Sequence, residues 1–583
     1  MRLAFDIETD GLLSDVTKIH CIAAQDLDTN EQFFWFNGSI KEGLAFLLSA
    51  DQLWGHNIIG YDYQAIRKIY PKWVYRGTTY DTLILSRLFF TDLLDRDFRS
   101  RPANMPANLY GRHSLEAWGH RLGVHKSEFG KSLEGDWSVY TEEMGAYCQQ
   151  DVVVSCKVAE MFVPKLETYK DCIDTEHRIA DLMAWQEREG FPFDVDKAHQ
   201  LESKLRTELD LISEEMRNTF VFVDGGIFTP KRKNSTQGYH EGAAMCKLKE
   251  FSPTSRDHIA WAFETFRGWT PKERTASGRA KIDDSVLKEI GTDEALKFSR
   301  ILELQKHLGQ LSEGKNAWLK QERNGRIHHS CILNTNTGRM AHLRPNLAQV
   351  PSASEYRELF YPGKGRVQVG ADASGLELRC LGHYLSPFDG GSFSRSVVEG
   401  DIHQELAEIY GTTRKAGKGV TYCLIYGGGD MKLGLTAGAS KRNAAAKGKE
   451  IRARIMKDLT GFAELSTAIQ SRAEGDVLRG LDGRPIRLQG KRHAALNYLL
   501  QSAGAVICKL WCIRTNELLQ EANIDYWPMA FVHDEIQLSV SPADSERASF
   551  LITAAMKDVE HQLKFRCALD SEAQHGSSWA ACH

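Results

Sequence analysis

No CxxC pair occurs among the twelve cysteines of this 583-residue chain. Cys508 and Cys512 lie one helical turn apart, but no second cysteine or histidine pair completes a zinc-type spacing. Buried, reduced thiols are therefore expected. No uninterrupted apolar run has the length of a bilayer span, which argues against a membrane protein. The opening MRLAFDIETDG is broken by acidic residues and lacks the shape of a secretory signal, so a cytoplasmic location is expected. There is no internal repeat and no low-complexity tract, which excludes solenoids and tails. Net charge is only −4, so no overall basic excess announces nucleic acid; a basic groove offset by acidic sites remains possible.

What is present is an ordinary globular composition, 42% hydrophobic and 26% charged, in a chain long enough for several domains. Residues 1–165 alternate strand and helix patterns, an α/β arrangement. RLAFDIET, TKIHCIAAQD and EQFFWFN read as strands. Residues 177–218 form a long amphipathic pattern broken at Gly190–Pro192. Residues 219–251, with Gly225-Gly226, Pro230 and Lys231-Arg232-Lys233, read as an irregular basic insertion. Helical patterns resume from Arg256. Beyond about 330 the chain mixes strand–turn segments, near 366–380 and 527–540, with helices.

Two sets of carboxylates carry the chemistry. In Phe5-Asp6-Ile7-Glu8 the strand period of two puts Asp6 and Glu8 on one face. Two such neighbours repel unless a cation lies between them, and hard oxygen ligands suit Mg²⁺ or Mn²⁺. Asp62 follows in HNIIGYD, and Tyr147 and Asp151 are spaced one helical turn apart in YCQQD. Further along, Asp372 ends the alternating run RVQVGAD. Asp534 and Glu535 sit at the bend of a predicted hairpin, MAFVHDEIQL. Between them, Arg414, Lys418, Tyr422 and Tyr426 recur every fourth residue, a stripe of two cations and two rings that can face a polyphosphate and a base. Gly417 and Gly419 lower helix propensity there, which fits a mobile element.

The order D-x-E, N-x-x-x-Y-D, Y-x-x-x-D resembles the three exonuclease motifs of the proofreading DEDD superfamily. DASGLELR, R-x-x-x-K-x-x-x-Y-x-x-x-YG and VHDEIQ resemble motifs A, B and C of the DNA polymerase I family, family A. With TGRMAHLRPNLAQVP, LQSAGAVICKLW and the terminal SWAACH, the resemblance is closest to replicative polymerases of T-odd-type short-tailed bacteriophages and covers nearly the whole chain.

This resemblance implies a multidomain α/β and α+β fold: an RNase H-like 3′→5′ exonuclease domain (1–165), then a right hand. The hand comprises a thumb (166–330, carrying the 219–251 insertion), a first palm part (331–402), fingers (403–488) and a second palm part (489–583). It implies two divalent ions, Mg²⁺ or Mn²⁺, at each active site. Asp372 and Asp534 would hold one pair, with Glu535 supporting that site. Asp6, Glu8, Asp62 and Asp151 would hold the other, with Tyr147 orienting the attacking water. Arg414, Lys418 and His403 would contact a deoxynucleoside triphosphate, Glu377 would crowd a ribose 2′-hydroxyl, and Tyr422 would lie under the incoming sugar and base. Tyr426, Arg339 and Gln501 would touch primer–template DNA.

A phage helicase-primase and a single-stranded DNA-binding protein are partners the resemblance implies. The chain leaves no room for a 5′ nuclease domain, which favours replication over primer removal. The short insertion, with GGIFTPKRK matching part of a larger thioredoxin-binding element, puts host thioredoxin in doubt. The basic run from Lys441 to Lys457 suits template phosphates, an acidic partner or plain solvation. The rival readings are a single-subunit RNA polymerase, against which Glu377 and the full exonuclease set argue, a gap-filling repair polymerase, and a catalytically silent DNA-binding scaffold.

Overall fold

A computed structural model describes residues 1–124 and 137–582. The chain divides into two compact units, Met1–Phe191 with His328–His583, and Pro192–Ile327.

The first unit begins with a five-stranded sheet in the order Gln32–Phe36, Ile19–Asp26, Arg2–Thr9, Gln52–Gly55, Thr78–Asp81. Arg2–Thr9 runs antiparallel to Ile19–Asp26 and parallel to Gln52–Gly55. This is the mixed α/β sheet expected for the N-terminal region. The central strand packs on both faces, although Asp6 and Glu8 stay partly exposed on one of them. Phe5 and Ile7 join one core, where Phe5 stacks on Tyr63 with ring centroids 6.1 Å apart. Ala4 joins another with Cys148 and Val152 of helix Glu142–Phe162. That helix starts at Thr141, whose side chain accepts from the backbone N–H of Met144.

The same unit contains a four-stranded antiparallel sheet in the order Tyr526–Val532, Glu535–Val540, Val367–Ala373, Ser571–Gly576. Helix Ser545–Leu563 packs on two of its strands, and against helix Ala495–Glu521. The latter is apolar and long enough to cross a membrane by composition alone, which corrects the expectation that no such run exists. Yet 78% of its apolar window is buried inside the fold, as in a core helix. Trp511 anchors it, wholly buried and donating Nε1–H to the Ile552 carbonyl at 2.8 Å. The segment 366–380 is a strand only to Ala373. Gly375, at φ +57°, then opens helix Leu376–Asp389, so the second half of that stretch is helical.

Five helices occupy Ile402–Tyr410, Arg414–Ile425, Asp430–Thr436, Ala444–Asp458 and Phe462–Arg472. A Cβ on Gly417 would lie 2.6 Å from the Ala407 Cβ, so this glycine permits the first two helices to touch. The basic run in Ala444–Asp458 is partly neutralised in place. Arg452 pairs with Asp430 at 2.8 Å, and Arg454 and Lys447 pair with Glu450 at 2.6 and 3.3 Å.

The second unit pairs helix Val195–Thr219 with helix Asp293–Leu308, around Phe220, Phe251, Phe263 and Phe298. Residues 219–251 are not irregular throughout. Phe222–Phe228 pairs antiparallel with Met245–Glu250, and Gly225-Gly226 marks a register shift between Asp224 and Ile227. A bulge within a hairpin and a loop share the same glycine signature. The thumb range of 166–330 also divides. Helix Lys170–Glu189 packs in the first unit, with the Trp185 ring edge-on to Tyr526 at 5.4 Å. The break at Gly190–Pro192, read as an interruption of one helical pattern, is where the chain leaves that unit.

Candidate active sites

Asp372 stands opposite Glu535 on one neighbouring strand and Glu572 on the other. The hairpin between Tyr526–Val532 and Glu535–Val540 turns through His533, at φ +58°, and Asp534. The Ala373 N–H donates to the Asp534 carbonyl at 3.0 Å. This single bond seats the hairpin bend against the end of the strand that bears Asp372, so two carboxylates far apart in sequence share one sheet end.

Burial pushes the Asp534 carboxyl up to about 6, with Glu377 and Asp372 adding like-charge repulsion and Arg339 opposing it. A cation beside these groups would be attracted by all three. The sign of the pH effect follows. Below about pH 6 the carboxyl is protonated and must lose its proton before binding a divalent ion. The divalent-ion concentration for half-occupancy of this site should therefore rise by up to about tenfold per pH unit below that value and be flat above pH 7. Titration of Mg²⁺ at a series of pH values checks this.

Glu377 lies in the first turn of helix Leu376–Asp389. It accepts a hydrogen bond from the Tyr426 hydroxyl at 2.6 Å, and Arg339 Nη2 lies 3.5 Å away. Burial and the Glu377 contact push the Tyr426 phenol up to about 12, keeping it a donor. The rings of Tyr422 and Tyr426 stack at 6.4 Å, and His403 lies 6.4 Å from Tyr422. Burial, with Lys418 and Arg414 nearby, lowers the His403 pKa. Within the stripe, the two rings face the carboxylates: helix Arg414–Ile425, capped by Thr413, presents Tyr422 toward Glu377 and Asp534, and both acids raise its phenol after burial. Arg414, at the exposed end, pairs with Asp401 at 2.7 Å. A cavity is lined by Arg339, Glu377, His533, Asp534, Gly504 and Cys508. Gln501 lies three residues before Gly504 on one helix face, its amide donating to Asn497 Oδ1 at 2.7 Å.

Glu535 has a different setting. It is buried, accepts from Gln537 Nε2 at 2.7 Å and from the Trp579 indole, and has Arg357 Nη1 4.0 Å away. These contacts tie the hairpin to the C-terminal segment.

At the N-terminal sheet, Asp6 and Glu8 share a face with Cys148, and one ligand atom from each of the three lies within 4.8 Å of the others. The Cys148 thiol donates to the Asp6 carbonyl at 3.4 Å. Asp62 opens helix Asp62–Ile69 and receives the Ile7 backbone N–H. Burial pushes its carboxyl up to about 7, its own backbone N–H opposes this, and Asp81 adds repulsion. Asp151 is buried on helix Glu142–Phe162, one turn beyond half-buried Tyr147. The structure thereby brings Asp6 and Glu8 together, holds Asp62 against the residue between them, and places Asp151 and Tyr147 on the helix that covers them.

Several contributors escaped the sequence reading. Asp81 accepts the N–H groups of Asn57, Ile59 and Leu83 at 2.9, 3.1 and 2.9 Å and so shapes the loop leading to Asp62. Cys148 adjoins Tyr147 in the motif, but its facing Asp6 depends on the fold. A buried ion cluster joins Glu176 to Lys509 at 2.7 Å and to Arg484 at 2.8 Å, and Arg484 to Asp482 at 2.6 Å. Lys509 also donates to the Leu333 carbonyl at 2.8 Å, and a Cβ on Gly338 would strike Arg484 at 2.5 Å. The cluster therefore shapes the loop that carries Arg339. Lys509 within the apolar run GAVICKLW was its one legible signal.

The family model for DNA polymerase family A matches residues 231–581. A DNA-directed DNA polymerase of Enterobacteria phage T3 is 33% identical over the full length of both chains. One of Escherichia phage T7 is 34% identical over 99% of each. DNA polymerase I of Pseudomonas aeruginosa is 22% identical over 87% of this chain and 54% of its own. Among solved structures, the POL domain of Pol1 from M. smegmatis, in complex with DNA primer-template and dNTP, superposes with a TM-score of 0.74 at 17% identity, over 99% of this chain and 96% of that one. The motifs around Asp372, Tyr422 and Asp534 lie inside the matched region, and this chain belongs to DNA polymerase family A.

Proposed function

We propose that the chain is a phage-type replicative DNA polymerase that extends a primer 3′ end with deoxynucleotides and removes mispaired ends through a second, 3′→5′ exonuclease site. The observation that carries the reading is the seating of Asp534 beside the Asp372 strand end, in a cavity shared with Glu377 and Arg339. Partly buried carboxylates, two of which, Glu377 and Asp372, raise the proton affinity of Asp534, are a hard-oxygen donor set, which fits Mg²⁺ or Mn²⁺. When bound, two such ions stabilise the attacking and leaving oxygens of an in-line displacement at phosphorus.

The chain's own residues do the positioning. Lys418, Arg414 and His403 offer cationic or N–H groups to the triphosphate, and Arg414 would exchange its exposed Asp401 partner for phosphate. Tyr422 offers a flat face for the sugar and base. Glu377, held by the Tyr426 hydroxyl, excludes a 2′-hydroxyl by crowding. Arg339 and Gln501 contact the primer–template. Replacement of Glu377 with alanine should raise ribonucleotide incorporation by about ten- to a hundredfold, and Tyr426→Phe by a smaller factor, because it loosens Glu377 without removing it. Single-nucleotide kinetics with paired ribo- and deoxynucleotides measure both; equal selectivity in all three proteins sinks the gate.

At the second site, Asp6, Glu8, Asp62 and Asp151 supply a matching oxygen set, and Tyr147 orients the attacking water. The Asp6→Ala, Glu8→Ala double variant should lose degradation of single-stranded DNA by about a thousandfold or more while primer extension persists. Degradation that survives this change would remove the assignment.

A further inference from the structure

His329, Cys331 and His342 form a cluster outside both carboxylate sites. Strand Ser330–Ile332 pairs antiparallel with Ala341–Leu343, with Cys331 directly opposite His342. His329, two residues before Cys331, projects to the same side by the strand period. One ligand atom from each of the three lies within 4.8 Å of the others, and Cys331 Sγ is 3.3 Å from His342 Nδ1. Both imidazoles are almost fully enclosed, at 1% and 6% exposure.

Three features of the cluster suit a metal better than a packed core. His329 Nδ1 and His342 Nε2 are buried without a hydrogen-bond partner among the described residues, an arrangement that costs free energy unless something satisfies it. Gln186 holds His329 Nε2 at 3.0 Å, and its own Oε1 is buried and unpartnered. The two ends of a side-chain amide are interchangeable in assignment. With Oε1 turned to accept from Nε2–H, Nδ1 is left as a bare lone pair that can ligate. An outer partner that fixes the tautomer of a ligating histidine is what metal sites require. Finally, two imidazoles and one thiolate form a borderline-soft set that favours Zn²⁺ over the hard ions suited to the carboxylates.

We propose that His329, Cys331 and His342 bind one Zn²⁺ ion, with water in the fourth position, and that this ion clamps the base of the hairpin whose loop, Leu333–Met340, carries Arg339. The reading of scattered, inert thiols is revised at this one cysteine. Sequence spacing could not show the site, because ten residues separate Cys331 from His342 and only strand register brings them together.

The test uses the full chain with excess Mg²⁺ present. Because Cys148 adjoins the exonuclease carboxylates, every arm is run on a Cys148→Ser background. Binding of Zn²⁺ is measured by competition with a chromophoric chelator, and Co²⁺ substitution is followed by absorption. The expected result is one Zn²⁺ per chain and a thiolate-to-cobalt charge-transfer band. Cys331→Ser should lose the band, and His329→Gln the bound zinc. Gln186→Ala should weaken zinc by about ten- to a hundredfold. Chelation should lower the melting temperature of the parent chain and leave that of Cys331→Ser unchanged. No zinc and no cobalt band in the folded Cys148→Ser chain overturns the proposal, whatever the further variants do. Equal affinity in all variants that retain the parent's circular dichroism overturns it as well.

Discussion

Asp534→Asn should reduce primer extension by about a thousandfold or more while leaving single-strand degradation within about twofold of the parent. The substitution keeps the shape of the side chain and removes its charge. Asp534 lies at a hairpin bend whose backbone is held by Ala373, so the hairpin itself should survive. What is lost is one of the carboxylates that make the site attractive to divalent ions. The same change removes the group whose proton affinity is raised, so the acid dependence of the Mg²⁺ requirement should flatten. Extension of a labelled primer and degradation of a single strand, measured on the same preparation, separate the two activities. Extension that persists in Asp534→Asn would mean that the palm carboxylates have been misassigned.

Glu176→Ala should destabilise the protein by about 3–5 kcal/mol, the range for breaking a buried ion pair from one side. Glu176 is fully enclosed and serves two cations at once, Lys509 and Arg484, both 2% exposed or less at the side chain. Burial drives the Lys509 amine down to about 8 even though Glu176 raises it, so desolvation outweighs pairing at this site. Without Glu176, two buried cations face each other with only Asp482 to offset them. The comparison variant is Arg178→Ala, which removes a half-exposed partner of Glu517 and should cost about 1 kcal/mol or less. Urea unfolding of the three proteins distinguishes these outcomes. Similar losses for both variants would show that the buried cluster contributes no more than a surface pair. Because the cluster shapes the Asn334–Gly338 approach to Arg339, Glu176→Ala should also weaken primer–template binding below the unfolding temperature.

The carboxylates and the motif helix were readable because each lies in a short segment whose local period states its geometry. Asp6 and Glu8 alternate on a strand, and Tyr422 and Tyr426 recur at helical spacing. Both arrangements are present. The setting of Glu535 was harder to read. Its place beside Asp534 suggests a shared task, and its contact with Trp579, from a segment 44 residues on, is one that no local pattern shows. The insertion 219–251 misled for a related reason, since a diglycine reads the same at a bulge as in a loop.

Local pattern, carried by backbone periodicity, determined which residues share a face within any stretch of some ten positions: Asp6 with Glu8, Tyr147 with Asp151, and Tyr422 with Tyr426. Only the tertiary structure decided which distant stretches meet: the Glu176–Lys509–Arg484 cluster, the Asp81 loop and the His329–Cys331–His342 set. Each of these depends on strand register or on helices packed from far points of the chain, and a buried charge or an unpartnered imidazole becomes visible only when the surface around it has closed.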